Sequence, residues 1–465
     1  MIRAVCSLLI ALTTFSAPLA AADGKYNVLF LMSDDMRPEL GCYGHPQVQS
    51  PNIDGLAKVG VRFDRAYCQY PLCNPSRSSM LNGRHPTTTN VLNNQAWVGG
   101  LHPDFVSLPK HFKQQGYQSL ACGKIFHGGI DDAEAWSEGG VKRNFDGPTA
   151  PDRKVTQKDR MQTSDRINVL EGDGESHNDH RTATKAIEYL RAHQKDRFFL
   201  ACGFTKPHSP PTAPQRFFDL YDPETIKLPA SFAAKAAAPT GYPPGSITPN
   251  GDLFIQRDAT PEEARKVIEA YWASISFTDW NVGRVLAELD RLKLRDSTIV
   301  LFWGDHGYHL GEFGKWSKHG SLYEVGTRVP LIISAPNAKA NGQTVAVPVQ
   351  SLDVYPTLCE LCGIATPKGL EGHSLTALLN DPAAKWDHPA YTVAGNAKNL
   401  GVAVRTARYR YAEYNGGEGG AMLFDEVNDP TESKNLIDDP QHQTVKSELS
   451  RLARQHAATK RTESD

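Results

Sequence analysis

Two adjacent aspartates follow a strongly hydrophobic run near the start of the sequence. The run covers residues 27–32, and Asp34 and Asp35 come after it with only Ser33 between. Neighbouring carboxylates at the end of a buried strand are costly unless a cation neutralises them. Their hard oxygen atoms suit Ca²⁺ or Mg²⁺. A solvated turn or a helix cap is the alternative for an isolated pair, so a metal site requires further partners.

Other charged residues and histidines also follow hydrophobic runs of the same type. They are Lys124 and His127 after residues 118–122, His208 after residues 198–204, and Asp305 and His306 after residues 298–303. Taken one at a time, such a lysine or histidine is more commonly a surface residue. In an open α/β sheet, however, ligands bind at the carboxyl ends of the strands. The shared position of these residues therefore predicts one common site.

The hydrophobic runs also predict the fold class. They are near-continuous rather than alternating, which is typical of parallel strands covered on both faces. A further run covers residues 329–334, and helical patterns lie between the runs. The helical segments are 109–115, 179–193, 261–293 and 352–361. This alternation predicts an α/β fold with a large doubly wound sheet, mixed or mostly parallel, and helices on both faces.

The character of the sequence changes after about residue 385. Short segments at 401–406, 409–414 and 421–425 predict a small C-terminal α+β subdomain with a short antiparallel sheet. We therefore expect a catalytic domain over residues 23–385 and a C-terminal subdomain over residues 386–465. Two irregular stretches, residues 131–174 and 210–258, predict long loops that shape a substrate pocket.

The first 22 residues have the layout of a secretory signal peptide. Arg3 precedes an apolar run over residues 4–15, and Ala20-Ala21-Ala22 provides a small-residue cleavage site. A buried N-terminal strand or helix is the alternative. The run is too short to span a membrane, and no other stretch is apolar for long enough. We expect an exported protein, periplasmic or secreted, with no membrane span.

Charge and cysteine content narrow the function further. The formal net charge of −2 provides no overall field that would attract nucleic acid. Seven cysteines follow the signal segment, and an odd number leaves one for a special role. Cys359 and Cys362 lie in a predicted helix with no second pair nearby to complete a zinc site. Core packing is our interpretation, with a disulfide or redox role as the alternative.

The segment that begins at Cys73 resembles the signature of a known family. Cys73-Asn74-Pro75-Ser76-Arg77 is followed by Leu81-Asn82-Gly83-Arg84. This pattern is similar to the C-x-P-S-R signature of the type I sulfatases, a branch of the alkaline phosphatase superfamily. In that family the cysteine is converted to formylglycine, which implies a maturation enzyme as a partner. Asn82 stands where Thr is usual. Residues 36–44, 50–54 and 405–411 resemble the iduronate 2-sulfatase branch.

The resemblance implies a role for each residue at the predicted site. It implies a Ca²⁺ site, with Mg²⁺ as the less common choice, formed by Asp34, Asp35, Asp305, His306 and the residue made from Cys73. Many members have Asn at position 306, whereas Asp-His occurs in the iduronate 2-sulfatase branch. The sulfate-facing residues are Arg77, Lys124, His208 and Lys318, and His127 would hold the formylglycine diol. Phe313 stands where His is common.

The same resemblance implies the reaction and leaves other functions open. A diol oxygen attacks sulfur, His208 protonates the departing sugar oxygen, and loss of sulfate restores the aldehyde. The leading substrate is a sulfated carbohydrate, a 2-O-sulfated uronic acid of a glycosaminoglycan or an algal polysaccharide. Lys398 could contact the uronate carboxylate, although a solvated surface lysine is the alternative. A phosphonate or phosphate ester hydrolase and an inactive sulfated-glycan-binding protein remain the rival functions.

Overall fold

The structure, a computed structural model, describes residues 26–151, 156–396 and 398–458. The expected signal peptide at residues 1–22 lies outside the described residues. Among the helices that the structure does describe, none has the length and hydrophobicity required to cross a bilayer.

A seven-stranded sheet forms the centre of the molecule. Its strands are β1 (Asn27–Asp34), β2 (Val61–Tyr67), β3 (Gln118–Gly123), β5 (Phe198–Pro207), β7 (Thr298–Gly304), β8 (Arg328–Ser334) and β9 (Thr344–Gln350), and the chain also has a short pair formed by β4 (Asn168–Leu170) and β6 (Thr212–Pro214). The order is β3-β5-β1-β7-β8-β2-β9. Strands β3, β5, β1 and β7 are parallel, which confirms the predicted mostly parallel sheet.

The structure corrects the prediction in one half of the sheet. Strand β8 was expected to be parallel, but it runs antiparallel to both β7 and β2. Strands β2 and β9 were not predicted. The β2 sequence, Val-Arg-Phe-Asp-Arg-Ala-Tyr, alternates apolar and charged residues, and β9 pairs along only one edge. Strand β2 therefore has no continuous hydrophobic run, and in β9 the apolar run at residues 345–349 contains Pro348, a residue confined to edge strands.

Helices cover both faces of the sheet, as predicted. One face carries α1 (Pro51–Lys58), α7 (Asn178–Ala192) and α9 (Pro261–Arg291), and the other carries α2 (Cys73–Asn82), α5 (Leu108–Gln114), α11 (Val354–Leu361) and α12 (Thr376–Asn380). Shorter helices are α3 (Pro86–Thr89), α4 (Val98–Leu101), α6 (Gln157–Thr163), α8 (Gln215–Phe218) and α10 (Glu324–Thr327). Strand β1 shows why two layers are needed, because Leu29 and Leu31 pack into one core and Val28 and Phe30 into the other.

The long helix α9 begins where its sequence predicts. Thr260 is the N-cap, and its side-chain oxygen accepts a hydrogen bond from the backbone N–H of Glu263. The Glu263 carboxylate in turn accepts a hydrogen bond from the Thr260 N–H, and Pro261 occupies the first helical position. This capping box satisfies N–H groups that the helix cannot bond internally.

A second, four-stranded antiparallel sheet follows in the C-terminal part of the chain, as expected. It consists of β10 (Ala390–Asn396), β11 (Asn399–Arg405), β12 (Tyr409–Tyr414) and β13 (Ala421–Asp425), and α13 (Gln443–Ala458) packs against it. Strand β10 was not predicted. It joins the two sheets, because Val393 N–H donates to Gln69 O and Thr392 Oγ1 donates to Cys68 O.

Candidate active site

The ends of four strands meet at one edge of the central sheet. In the ladder, Asp34 of β1 is opposite Pro207 of β5, and Ser33 is opposite Gly304 of β7. Gly123 of β3 is opposite Gly203 of β5. The residues that follow these positions therefore lie close together at the carboxyl ends of the parallel strands.

Glycines make the close approach between β3 and β5 possible. A Cβ atom on Gly203 would lie 1.9 Å from the Lys124 carbonyl oxygen. A Cβ on Gly123 would lie 2.0 Å from the Gly203 carbonyl oxygen, and Gly123 also has a φ of +77°. Both values are far below a normal contact distance. The chain can turn here towards the site with Lys124 only because these two side chains are absent.

Asp34 and Asp35 direct their carboxylates to the same cluster although they are adjacent in sequence. Neighbouring residues of a strand normally point to opposite faces. Asp35 leaves the strand with a φ of 63°, a left-handed conformation that few non-glycine residues adopt. Its backbone is held on both sides, since Asp35 N–H donates to Asp305 Oδ1 at 3.0 Å and Tyr271 Oη donates to Asp35 O at 2.6 Å.

Helix α2 places Cys73 and Arg77 one turn apart on the same face. Cys73 is the first residue of the helix, where the helix dipole favours negative charge. Arg77 is fully buried, and its Nε donates to Asp305 Oδ2 at 2.8 Å. The Arg77 guanidinium also donates to the backbone oxygens of Lys124 and Ile125. The helix is therefore tied to the ends of β3 and β7.

Four potential metal ligands lie together at the centre of the site. One ligand atom each from Asp34, Cys73, Asp305 and His306 lie within 4.8 Å of one another. The Oδ1 atoms of Asp34 and Asp35 are buried and accept no hydrogen bond from the described residues, although Arg77 Nη2 lies 3.6 Å from the first and His306 Nδ1 lies 3.2 Å from the second. Buried carboxylate oxygens without hydrogen bonds are costly. Carboxylates placed in this way fit a divalent cation with oxygen ligands.

His306 is oriented so that Nε2 faces this cluster. Its Nδ1 lies 3.1 Å from Gly307 O, and since a carbonyl only accepts, this nitrogen carries a proton. Nε2 lies 3.3 Å from Cys73 Sγ. Burial lowers the pKa of His306, but Asp305, Cys73 and Asp35 together raise it to about 10. The cluster therefore strongly favours positive charge, which also fits a cation.

Basic side chains surround the Cys73 sulfur. Lys124 Nζ contacts Asp34 Oδ2, and Lys318 Nζ lies 2.8 Å from Asp35 Oδ2. Burial and Asp34 raise the pKa of the Cys73 thiol, but Lys124 and Lys318 outweigh them, and the pKa falls well below its ordinary value. The surroundings favour an anionic atom at this position.

His127 and His208 are the remaining predicted catalytic residues, and both lie near Cys73. Burial lowers the pKa of His127, and a hydrogen bond with Cys73 acts in the opposite direction. His208 Nδ1 lies 2.6 Å from Ser209 O, which requires a proton on Nδ1 and leaves Nε2 facing Asp35 at 3.8 Å. The His208 side chain is 33% exposed, whereas those of Asp35 and Lys318 are 0% and 5% exposed. It therefore lies on the side from which a substrate enters.

The structure thus brings together every residue that the sequence predicted for the site except Lys398. That residue lies in the exposed turn between β10 and β11. No hydrogen bond or ion pair joins its side chain to the site within the described chain. Tyr70 Oη donates to Gly395 O at 2.5 Å, so the hairpin that carries Lys398 packs on the segment leading to Cys73.

Sequence reasoning missed two residues that lie at the site. Asp252 Oδ2 is 3.4 Å from Lys318 Nζ. Lys206 is buried and donates from Nζ to His208 O at 2.7 Å and to Pro210 O at 2.8 Å. Asp252 lies in an irregular loop and offers no signal in sequence. Lys206 follows a hydrophobic run like the predicted residues, so its position was an available signal.

Solved structures share this fold over almost the whole chain. A structure described as a 2-O GAG sulfatase matches with a TM-score of 0.71 and 25% identity, covering 94% of this chain and 93% of that one. A phosphonate monoester hydrolase from Silicibacter pomeroyi matches with a TM-score of 0.73 and 22% identity, covering 93% and 94%. The central sheet, its helices and the C-terminal sheet are those of an alkaline phosphatase-like fold.

Sequence comparisons identify the family within that fold. The sulfatase family model matches residues 26–364, and a model of the N-sulphoglucosamine sulphohydrolase C-terminal region matches residues 311–459. A sulfatase of Formosa agariphila is 34% identical over 88% of this chain and 82% of its own length. Human iduronate 2-sulfatase is 35% identical over 71% of this chain and 62% of its own length. The chain belongs to the sulfatase family and is an enzyme that resembles the iduronate 2-sulfatases.

Proposed function

We propose that this sulfatase removes a sulfate ester from a sugar of a sulfated glycan, using a formylglycine made from Cys73. The observation that carries the proposal is the environment of the Cys73 sulfur. Carboxylates and His306 lie on one side, and Lys124, Lys318 and His208 surround the position where an anionic sulfate would be held.

The carboxylate side of the site would hold Ca²⁺, with Mg²⁺ as the less suitable ion. The ligands would be the Oδ1 atoms of Asp34 and Asp35, which accept no hydrogen bond from the described residues, together with Asp305, His306 and the residue made from Cys73. A flexible set of carboxylate oxygens suits Ca²⁺ better than the strict octahedron of Mg²⁺. When bound, the ion neutralises sulfate charge and increases the acidity of a coordinated hydroxyl.

Formylglycine would supply the nucleophile that a thiol cannot replace. Its hydrated aldehyde offers one oxygen to sulfur and a second hydroxyl through which the carbonyl can re-form. Cys73 is only 1% exposed, in a helix whose ten residues are all buried. A maturation enzyme would therefore have to act on the chain before it folds.

The remaining groups would bind sulfate and move protons. Lys124 and Lys318 would bind sulfate oxygens directly, and the buried guanidinium of Arg77 would add positive charge from behind Asp34 and Asp305. His208 lies on the exposed side and would donate a proton to the departing sugar oxygen. His127, on the β3 side of Cys73, would accept the proton released from the second hydroxyl.

The substrate class rests on the relatives. Among them are iduronate 2-sulfatases, an ulvan-active sulfatase of Formosa agariphila that is 30% identical over 91% of this chain, and a 2-O GAG sulfatase. These names support a 2-O-sulfated uronic acid of a glycosaminoglycan or algal polysaccharide. Lys398 is proposed as a contact for the uronate carboxylate, in a C-terminal subdomain that begins near residue 386. Export to the periplasm or the medium is part of the same proposal.

A substrate panel tests the function. Protein produced with a formylglycine-generating enzyme is assayed on sulfated mono- and disaccharides, on aryl sulfate, and on matched phosphate and phosphonate monoesters. Sulfated sugars should have the highest kcat/KM. Faster turnover of phosphonate esters would instead support the hydrolase function named for the Silicibacter structure. Absence of turnover from protein with verified formylglycine would contradict the proposal.

A further inference from the structure

Asp252 is an acidic residue at the entrance of a site built for an anion. Its Oδ2 lies 3.4 Å from Lys318 Nζ, whose other neighbour is Asp35 Oδ2 at 2.8 Å. The Asp252 side chain is 23% exposed, whereas Asp35 is fully buried. Lys318 therefore stands between the metal-facing carboxylate and this more exposed one. A carboxylate here repels sulfate, so its presence requires another purpose.

The loop that carries Asp252 is held firmly against the segment that carries Lys318. Trp316 N–H donates to Asn250 Oδ1 at 2.8 Å, and Lys315 Nζ donates to Thr248 Oγ1 at 2.7 Å. The rings of Phe254 and Trp316 lie 5.0 Å apart. Contacts on both sides of Asp252 thus fix its backbone. The carboxylate is presented by a rigid loop, which is what substrate recognition requires.

Only half of the Asp252 carboxylate is used within the protein. Oδ2 contacts Lys318, and no hydrogen bond from the described residues reaches Oδ1. Burial raises the pKa of the Asp252 carboxyl, but Lys318 and His208, which lie on the active-site side, outweigh burial and lower it. Because one oxygen is already paired with a lysine, the group is suited to a neutral donor rather than to a second cation. The donor that a sugar offers is a hydroxyl.

We infer that Asp252 is a specificity-determining residue that accepts a hydrogen bond from a sugar hydroxyl on the carbon next to the sulfate-bearing carbon. This inference rests on the proposed function and deepens it. Because Asp252 Oδ2 lies 3.4 Å from Lys318 Nζ, a sulfate bound to Lys318 would bring a neighbouring hydroxyl close to this carboxylate. The site thereby selects sugar sulfates with a free vicinal hydroxyl over aryl sulfates. A uronate carboxylate would be turned away from this loop by charge repulsion.

The test combines two variants with two substrates. Matured wild type, Asp252→Asn and Asp252→Ala are assayed on the best sugar sulfate of the panel and on para-nitrophenyl sulfate. Loss of a hydrogen bond to a charged acceptor should lower kcat/KM for the sugar sulfate by about 10- to 100-fold. The aryl sulfate has no vicinal hydroxyl, so its kcat/KM should fall by at least about fivefold less than that of the sugar sulfate, about the value of one hydrogen bond.

A substrate analogue sharpens the result. The same sugar sulfate with its vicinal hydroxyl replaced by hydrogen should be a poor substrate for wild type, and the Asp252 variants should lose nothing further on it. The matched control is Asp258→Asn, an exposed aspartate of the same loop, which should behave as wild type on every substrate. Thermal unfolding of each variant verifies that the loop is intact.

Other outcomes overturn the inference. Equal losses on sugar and aryl sulfate would mean that Asp252 only positions Lys318. Unchanged kinetics on the sugar sulfate would mean that Asp252 has no contact with the substrate. If wild type cleaves aryl sulfate but no sugar sulfate, the proposed glycan substrate fails together with this inference. If the wild type cleaves sugar sulfates and the Asp252 variants have the same kinetics, only the inference about Asp252 is rejected.

Discussion

The aspartate, lysine and arginine side chains around Cys73 form two electrostatic groups. Asp34, Asp35 and Asp305 form the negative group, and the two lysines with Arg77 form the positive group. Direct ion pairs between the groups keep buried charges compensated, since an isolated buried charge would be very costly. The nucleophile position lies at the boundary, where a cation and an anion can be bound side by side.

Replacing Cys73 tests the nucleophile. Cys73→Ala and Cys73→Ser should lower kcat by more than about a thousandfold, because neither side chain can form the aldehyde. Cys73→Ser is further expected to retain a covalent sulfate, visible by intact-mass spectrometry after exposure to substrate. Cys42→Ser, at a half-buried cysteine elsewhere, is the control and should keep full activity. Multiple turnover by purified Cys73→Ser would contradict the mechanism.

Replacing Asp35 tests the cation. The protein is first freed of metal with a chelator. Adding Ca²⁺ at a hundred times its Kd should then stabilise the wild type by about 2.7 kcal/mol, measured as a rise in Tm. Asp35→Asn removes one carboxylate oxygen and the negative charge, and should abolish most of this rise. Asp296→Asn, an exposed surface change, should leave it intact. An equal Ca²⁺-dependent rise in both variants would show that Asp35 is not a ligand.

At the level of elements, the site depends on how β5 continues into its loop. Asp179 of α7 accepts hydrogen bonds from the backbone N–H groups of Thr205 and Lys206, which hold the strand end. Lys206 then holds the loop itself through the carbonyls of His208 and Pro210. Burial lowers the pKa of Lys206 to about 8, with Asp179 opposing that change. His208 is thus positioned by a lysine that does not face the substrate.

Lys206→Met should therefore disturb His208 without removing it. The carbonyls of His208 and Pro210 lose a charged donor, and because such a hydrogen bond contributes about 1.5–3 kcal/mol, the free energy of unfolding should fall by that order. We expect kcat to fall by about tenfold or more while KM for the substrate changes little, because proton donation is affected more than sulfate binding. Lys195→Met, in the exposed turn before β5, is the control. Unchanged kcat would show that the loop keeps its shape unaided.

At the level of the whole molecule, a buried ion cluster joins the two sheets. Arg410 of β12 contacts Glu324 of α10, and its Nε lies 3.1 Å from Glu426 Oε1 and 3.0 Å from Glu432 Oε1. Arg410 is 1% exposed. Because α10 follows the Lys318 segment in sequence, the cluster connects the C-terminal sheet to the region that carries part of the site.

Arg410→Met should destabilise the protein by about 3–5 kcal/mol, since it leaves buried carboxylates without their cation. Arg408→Met is a matched control two residues away, where a 52% exposed arginine pairs with Asp425. Because the arginine of this pair is half exposed, its loss should cost less than the loss of the buried Arg410. Urea unfolding measures the free energy of unfolding of both variants. Equal effects would mean that the cluster is not what holds the two sheets together.

The burial of α2 predicts when maturation can occur. Folded protein that carries the Cys73 thiol should remain unmodified when a formylglycine-generating enzyme is added, because the cysteine is inaccessible. The same chain should be converted when it is unfolded or supplied as a peptide of residues 68–84. Intact-mass analysis distinguishes the unmodified cysteine from formylglycine in each sample. Efficient conversion of the folded protein would show that α2 opens readily.

Much of the fold was predictable because the central strands are buried on both faces and therefore appear as continuous hydrophobic runs. The antiparallel direction of β8 was not, since two-sided burial produces the same run in either direction. Strand β2 escaped prediction because its apolar residues alternate with charged ones, and β9 because its apolar run contains Pro348, which argues against a strand in sequence.

The sequence alone determined which residues lie at the strand ends, from Asp34 and Lys124 to Asp305, because hydrophobic runs and the Cys73 motif are local features. Only the tertiary structure decided how they meet. The left-handed turn at Asp35, the glycine contact between β3 and β5, and the approach of Asp252 to Lys318 depend on distant segments packing together. Contacts between a loop and a strand end have no periodicity, so no local pattern could reveal them.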